Sequence, residues 1–321
     1  MPDTRNLWVK ASGAWANVVR PYVKAAGQWS AVQTAWIKEG GVWRMVYNYD
    51  PGPPPASDIE YLIVGGGASG SNGTNNSSAG GGGAGGVLTG SMNVVSGQNY
   101  EIVVGAGGAH GSNQNGKDSY FNGITAFGGG CGGVETRNAV SGGSGGGGGT
   151  YYFYARALSG ANGTPGQGFA GGKAAVIVQP EGAALNSGGG GGASKAGGDG
   201  VVGKGAGNGG DGVLIWSYYA VGGGGGGAPR DDEPGKGGYG GGGDGHFGPK
   251  GVDGTPNTGG GGGGGTCGDA DIDMTGGAGG SGIVVIRYPT NYRAANAPGS
   301  SYREDGGYRY YEFRDSGSIV F

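Results

Sequence analysis

Histidine, cysteine and large aliphatic residues are all scarce in this chain, and each scarcity closes off a class of chemistry. His110 and His246 are the two histidines in 321 residues, each isolated in loop-like sequence, so a histidine-based triad or a zinc site lacks its parts. Cys131 and Cys267 both border glycine runs; a reduced, buried role is favoured over a disulfide, although pairing stays open because spacing alone gives no distance. Leu, Ile and Phe are too few for a large oil-drop core, so stability has to come from backbone pairing and thin apolar layers. The net charge of −3 carries no basic stripe, which argues against nucleic acid. No apolar run approaches the ~20 residues of a membrane helix, and the N-terminal residues carry no signal-peptide core. Neither membrane insertion nor secretion is expected.

Apparent catalytic spellings dissolve on inspection. Gly142-Gly143-Ser144-Gly145-Gly146 matches a nucleophile elbow, but in polyglycine that match is nearly automatic. Gly111–Asp118 approaches a phosphate-binding loop, yet Asp118 stands where a hydroxyl is required and would repel phosphate. The alternating Asp269, Asp271 and Asp273 fit no calcium loop, and neither do the Gly-Gly-Asp-Gly motifs at 197–200, 209–212 and 242–245. No enzyme, cofactor or metal is expected.

What the chain has in abundance is glycine, 91 residues of it, gathered into runs such as 80–86, 142–149, 188–192, 222–227 and 259–265. Glycine is the costliest residue to order, so one such run reads as a linker. Many runs separated by short strand-like segments imply an architectural use. Without Cβ, backbones approach more closely than any others, and the absence of a Gly-X-Y period excludes collagen. The expected arrangement is a bundle of polyglycine-II helices, three residues per turn, hydrogen-bonded side by side; the alternative is a disordered coil.

Residues 8–47 repeat with a period of 14: Trp8…Trp15, Tyr22…Trp29 and Trp36…Trp43, each with β-branched, Lys and Gly positions between. Each unit reads as a β-hairpin. Because an isolated hairpin is marginal, the three are expected to share their aromatics as a core. The prolines of 51–57 separate this module from a glycine-rich body at 58–290, and residues 291–321 follow as a linker and a hairpin, 308–314 with 318–321. Ile59–Val64 and Ile283–Tyr288 are the natural pair to close the body. A further hairpin is expected over 87–104.

The opening Asp58-Ile59-Glu60-Tyr61-Leu62-Ile63-Val64-Gly65-Gly66-Gly67 and the closing Ile283-Val284-Val285-Ile286-Arg287-Tyr288-Pro289 resemble the two ends of the glycine-rich domain of bacteriophage tail proteins. The chain is also similar to polyglycine-II sandwich adhesins at the tail-fibre tips of T-even-like phages. The resemblance implies a virion protein whose distal loops contact a host outer-membrane protein or surface glycan, made in the host cytoplasm. The fold class expected is mostly irregular and β: a triple β-hairpin module, a polyglycine-II bundle closed by short strands, and a C-terminal β-hairpin.

If each glycine segment crosses the bundle once, inserts 68–79, 109–127, 150–187, 228–239 and 266–275 lie at the far end. Receptor-binding candidates are Tyr151, Tyr152, Phe153 and Tyr154, since adjacent strand residues cannot all face inward, together with Arg230, Asp231, Asp232, Trp216, Tyr218 and Tyr219. A role as caps over the bundle ends is the alternative for both aromatic groups. Trp8, Trp15, Tyr22, Trp29, Trp36 and Trp43 are the candidates for attachment to a trimeric tail-fibre or tail-tip protein through residues 1–50.

Overall fold

The computed structural model describes the chain apart from residues 1–6, 12–13, 19–20, 26–27, 49–51, 75, 180–181, 231, 247–249 and 267–273. It divides between Pro54 and Pro55 into two compact units. Among the described residues there is no helix of the α type; strands and irregular coil make up the whole.

In the first unit, β1 (Leu7–Ala11) pairs with β2 (Ala14–Val18), β3 (Tyr22–Ala25) with β4 (Gln28–Ala31), and β5 (Thr34–Glu39) with β6 (Val42–Asn48). Each pair is a two-stranded antiparallel sheet, so the 14-residue repeat is a repeat of hairpins. Its conserved spacing sets Lys opposite Trp beside the turn: Lys10 faces Trp15, Lys24 faces Trp29 and Lys38 faces Trp43. In the third hairpin Lys38 Nζ lies 5.9 Å from the Trp43 ring centre. Gly40 and Gly41 make its turn at φ 57° and 84°, the left-handed pair that matches strand twist. The expected shared aromatic core is not formed by the residues that are described. Tyr22, Trp36 and Trp43 are each at least half exposed, because among the described residues nothing packs over these two-stranded sheets. The side chains of Trp8, Trp15 and Trp29 lie outside the described set.

In the second unit the glycine runs form polyglycine-II rods, and the rod at 80–86 shows the geometry directly. Gly80, Gly83 and Gly86 donate to Gly133, Gly130 and Phe127; Gly81 and Ala84 donate to Gly188 and Gly191; Gly82 and Gly85 donate to Gly262 and Gly259. Successive N–H groups therefore turn by a third of a revolution, each third residue meeting the same neighbour, at 2.8–3.2 Å. Its carbonyls accept in the same rhythm: Ser71, Ala68 and Gly65 donate to Gly80, Gly83 and Gly86, Gly147 and Ser144 to Gly81 and Ala84, and Gly225 to Gly82. The 80–86 rod is thus enclosed by rods 65–71, 127–133, 143–149, 187–192, 222–228 and 259–265. All seven of its N–H groups and six of its carbonyls are satisfied by lateral bonds, which is what burial demands.

The strands of this unit are β7 (Asp58–Val64), β8 (Val87–Asn93), β9 (Asn99–Val103), β10 (Ser119–Phe121) and β11 (Ile124–Ala126). Then come β12 (Thr150–Tyr151), β13 (Arg156–Ala157), β14 (Ala175–Gln179), β15 (Gly182–Asn186), β16 (Val213–Ile215) and β17 (Tyr219–Val221). The last are β18 (Ile283–Pro289), β19 (Ser301–Asp305), β20 (Tyr308–Phe313) and β21 (Gly317–Val320). A five-stranded sheet in the order β19-β20-β18-β7-β8 packs on a four-stranded sheet, β11-β10-β9-β21. Ile59, Ile63, Ile102, Phe121, Ile286 and Phe313 fill the space between them. The other face of the larger sheet, following the period-two alternation, carries Leu62, Val64, Val285 and Tyr310 against Tyr219 and Val221 of the β16–β17 hairpin. The expected pairing of Ile59–Val64 with Ile283–Tyr288 is present, from Ile283 opposite Val64 to Arg287 opposite Glu60.

Two sequence expectations are corrected here. Segments 87–93 and 99–103 flank a turn but do not pair; β8 joins β7 and β9 joins β10 and β21, one strand in each sheet. The C-terminal hairpin is β19–β20, turning at Gly306 and Gly307, and β21 crosses to the other sheet. In both cases apolar burial between two sheets outweighs the local pairing that proximity in sequence suggests.

Candidate functional site

The bundle has two chemically unlike ends. At one, the rods run into the β-sandwich. At the other, they stop at hydroxyl and amide residues: Ser71, Ser77, Ser78, Thr150, Asn186, Ser187 and Thr266, all fully buried. Where a rod ends its backbone loses lateral partners, and the side chains of Ser71, Ser78, Thr150 and Thr266 replace them. Thr150 Oγ1 accepts from Ser78 N–H (3.0 Å), Ser78 Oγ donates to Leu185 O (3.2 Å), and Thr266 Oγ1 donates to Pro229 O.

Above this layer, residues 72–74, 76–78, 150–157, 175–179, 182–186, 228–230 and 232–233 make the distal loop surface. Tyr152 N–H donates to Asn76 O (2.8 Å) and Arg230 N–H to Leu185 O (2.8 Å). The Arg230 guanidinium stands 5.8 Å from the Tyr152 ring centre. Tyr151 is the hub of the aromatic group, with ring centres 5.8 Å from Phe153 and 5.3 Å from Tyr154. Phe153 and Tyr154 are 64% and 75% exposed, and Ile177 and Val178 on β14 are 44% exposed. Asp232 Oδ2 is held by Asn186 Nδ2 (2.6 Å) and Gly203 N–H (3.1 Å), so it braces the loop. Asp231 lies outside the described residues.

Trp216, Tyr218 and Tyr219 sit at the opposite end, on the five-stranded sheet. Tyr219 is 7% exposed and its hydroxyl donates to Glu312 Oε1 (2.5 Å). Burial, then the hydrogen bond to Glu312, pushes its phenol above the ordinary range. The Arg287 guanidinium lies 4.2 Å from the Trp216 ring and 2.6 Å from Glu60 Oε2, while Arg303 lies 3.8 Å from Tyr310 and 4.1 Å from Tyr218. Glu60, Arg287, Tyr310 and Arg303 are directly opposite one another on β7, β18, β20 and β19, a polar row bracing the sheet. Trp216 and Ser217 hold φ of 50° and 56°, rare for a bulky side chain and kept in place by this packing.

The crossing count needs correction as well. Segments 114–118, 158–163, 168–173, 207–212, 235–239 and 251–255 also run along the bundle, as their bonds to the glycine rods show. Inserts 109–127, 150–187 and 228–239 are therefore not wholly distal. β10 and β11 lie in the sandwich, and Gln167 bonds the Phe127 and Thr125 backbone there.

Sequence reasoning also missed what the Asp and Asn residues do. Asp199, Asp211 and Asp244, one in each Gly-Gly-Asp-Gly motif, accept from Lys173, Tyr239 and Gly237 N–H. Asn115 and Asp118 accept from Cys131 and Gly128, and Asn208 shares the task with Asp211, three residues apart on one rod face. Outer rods thus use side-chain oxygens to satisfy donors where another rod is lacking. The three-residue spacing of Asx residues was the available signal. Cys131 is a free, buried thiol, its pKa raised by burial; Cys267 lies outside the described residues.

A rigid body of polyglycine-II rods, sealed by a β-sandwich and decorated with loops, is the class this geometry defines. The family model for the glycine-rich domain matches residues 46–289, most of the chain, which belongs to that family. No curated protein and no solved structure matches it.

Proposed function

We propose that this chain is a phage tail-fibre or tail-tip receptor-binding protein, an adhesin of the virion. Residues 1–50 attach it to a trimeric fibre or tail-tip partner, and the distal loops meet a host outer-membrane protein or surface glycan. The observation that carries this reading is the asymmetry of the bundle. One end packs Tyr219, Tyr288, Tyr310 and Tyr311 into its sheets and braces its exposed Tyr218 with Arg303, whereas the other presents Phe153, Tyr154, Ile177 and Val178 to solvent on a stiff base. Exposed aromatics on a pre-ordered scaffold bind with little ordering cost. Of the sequence candidates, Tyr151–Tyr154 and Arg230 suit the contact surface; Trp216 and Tyr219 serve the sheet instead.

Replacing Phe153 and Tyr154 together with Ser is expected to weaken adsorption of the purified protein to cells of the phage's host by about thirtyfold, the ~2 kcal/mol of a hot spot. The melting temperature should not move. Unchanged adsorption would remove this loop from the contact surface and favour a purely structural virion protein.

A further inference from the structure

We infer that the free edge of β8 is a strand-addition site for an extended partner segment carrying Lys or Arg. The ladder between β7 and β8 sets which groups are available. Val94 N–H donates to Ser57 O and Gly65 N–H to Gly86 O, so the even-numbered residues of β8 face β7. The odd-numbered residues, Thr89, Ser91 and Asn93, point their N–H and C=O outward, and among the described residues β8 has β7 as its one neighbour in the sheet.

Every other outer strand of the sandwich is guarded. β19 carries Arg303, Glu304 and Asp305 along its length. At β11 the Gln167 side chain imitates a strand, accepting from Phe127 N–H (2.8 Å) and donating to Thr125 O (3.0 Å). At β21, Asn296 exchanges both backbone bonds with Val320, each 2.9 Å. Natural sheets block edges in these ways to prevent pairing with other chains. β8 reads Val-Leu-Thr-Gly-Ser-Met-Asn, with no charge and no proline; among the described residues its outward backbone is tied at Val87, whose N–H donates to Gln167 O.

The chemistry beside this edge selects the occupant. A groove of about 430 Å³ runs along it, lined by Asp58, Glu60, Thr89, Gly90, Ser91 and Trp216. Two carboxylates and two hydroxyls line it; Glu60 is paired with Arg287 at 2.6 Å from the β18 side, which leaves Asp58 as the lining carboxylate without an ion pair among the described residues. On the opposite face Leu88 and Met92 border the apolar core. An added strand therefore places basic side chains over the groove and apolar ones beside Leu88 and Met92, with main-chain bonds supplying affinity. A second copy would bring its own Asp58 to the same edge and is disfavoured by like charge. This inference is independent of the adhesin reading.

The test uses the full chain and two eight-residue blocked peptides, one alternating Val with Lys and one alternating Val with Glu. Saturable binding of the lysine peptide is expected, at least tenfold tighter than the glutamate peptide, with slowed amide exchange at Thr89, Ser91 and Asn93. Ser91→Pro, which removes an outward N–H, should weaken binding tenfold or more, and Asp58→Lys should reverse the preference between peptides. Equal binding of both peptides, or binding without protection of those amides, overturns the inference. A wild-type dimer in sedimentation that Ser91→Pro dissolves also overturns it, making the occupant a second copy.

Discussion

At Gly82 there is no room for a side chain to begin: an added Cβ would lie inside the contact shell of the Ala68 and Ser69 carbonyl oxygens. Gly97, in the turn between β8 and β9, has open space around it and a φ of 80°. The two glycines are needed for different reasons, proximity in one and conformation in the other. Gly82→Ala is expected to cost ~3 kcal/mol or more by overpacking, and Gly97→Ala about 1 kcal/mol by strain. Denaturant midpoints of the two variants decide the point, and equal losses would mean that the rods yield. Tyr219 and Tyr288 give a second residue-scale expectation. Burial raises both phenols above their usual 10.0, helped by hydrogen bonds to Glu312 and Tyr311 respectively. A raised folded pKa means the stabilisation is complete below pH 10 and is lost as pH climbs beyond it. Stability should fall by up to ~1.4 kcal/mol per pH unit for each phenol in that alkaline window. Urea denaturation of wild type and Tyr219→Phe on either side of pH 10 checks the sign, the variant showing the shallower fall.

The individual rod is no element that propensity describes, since it has no internal hydrogen bond and exists only among its neighbours. Its outer members depend on side-chain acceptors, and that dependence can be measured one amide at a time. Asp253 Oδ1 accepts from Ala278 N–H at 2.7 Å, and Oδ2 pairs with Lys250 at 3.1 Å. Asp253→Ala should speed exchange of the Ala278 amide by about tenfold, the ~1.4 kcal/mol of a charge-assisted bond. Asp253→Asn, which keeps the acceptor and loses the ion pair, should restore most of the protection. Equal exchange in wild type and the Ala variant would show that the oxygen is dispensable. The hairpins differ from the rods here: the third repeat pairs through its own turn at Gly40 and Gly41, so its structure was readable from 14 residues alone.

At the scale of the molecule, the Pro54–Pro55 division predicts that residues 55–321 fold without the hairpin unit. The truncated protein should melt within a few degrees of the corresponding transition in the full chain, and a large drop would mean that the glycine-rich unit needs its neighbour. The glycine content, the absence of Gly-X-Y, the repeat, and the pairing of Ile59–Val64 with Ile283–Tyr288 could all be read from the sequence. They rest on local chemistry: what lacks a Cβ can pack closely, and what is β-branched favours strands. The route of the chain could not. Segments such as 114–118 and 158–163 carry few glycines and still cross the bundle, because position in the lattice decides which residues must be small. Likewise Trp216 and Tyr151–Tyr154 look alike in sequence, as aromatics beside glycine runs, yet Trp216 stacks on Arg287 while Phe153 and Tyr154 face outward over a half-buried Tyr151. Sequence determined that this chain would be held together by its backbone. Only tertiary structure decided which backbone meets which, since a polyglycine rod offers every neighbour the same hydrogen bonds and its flanking side chains alone distinguish them.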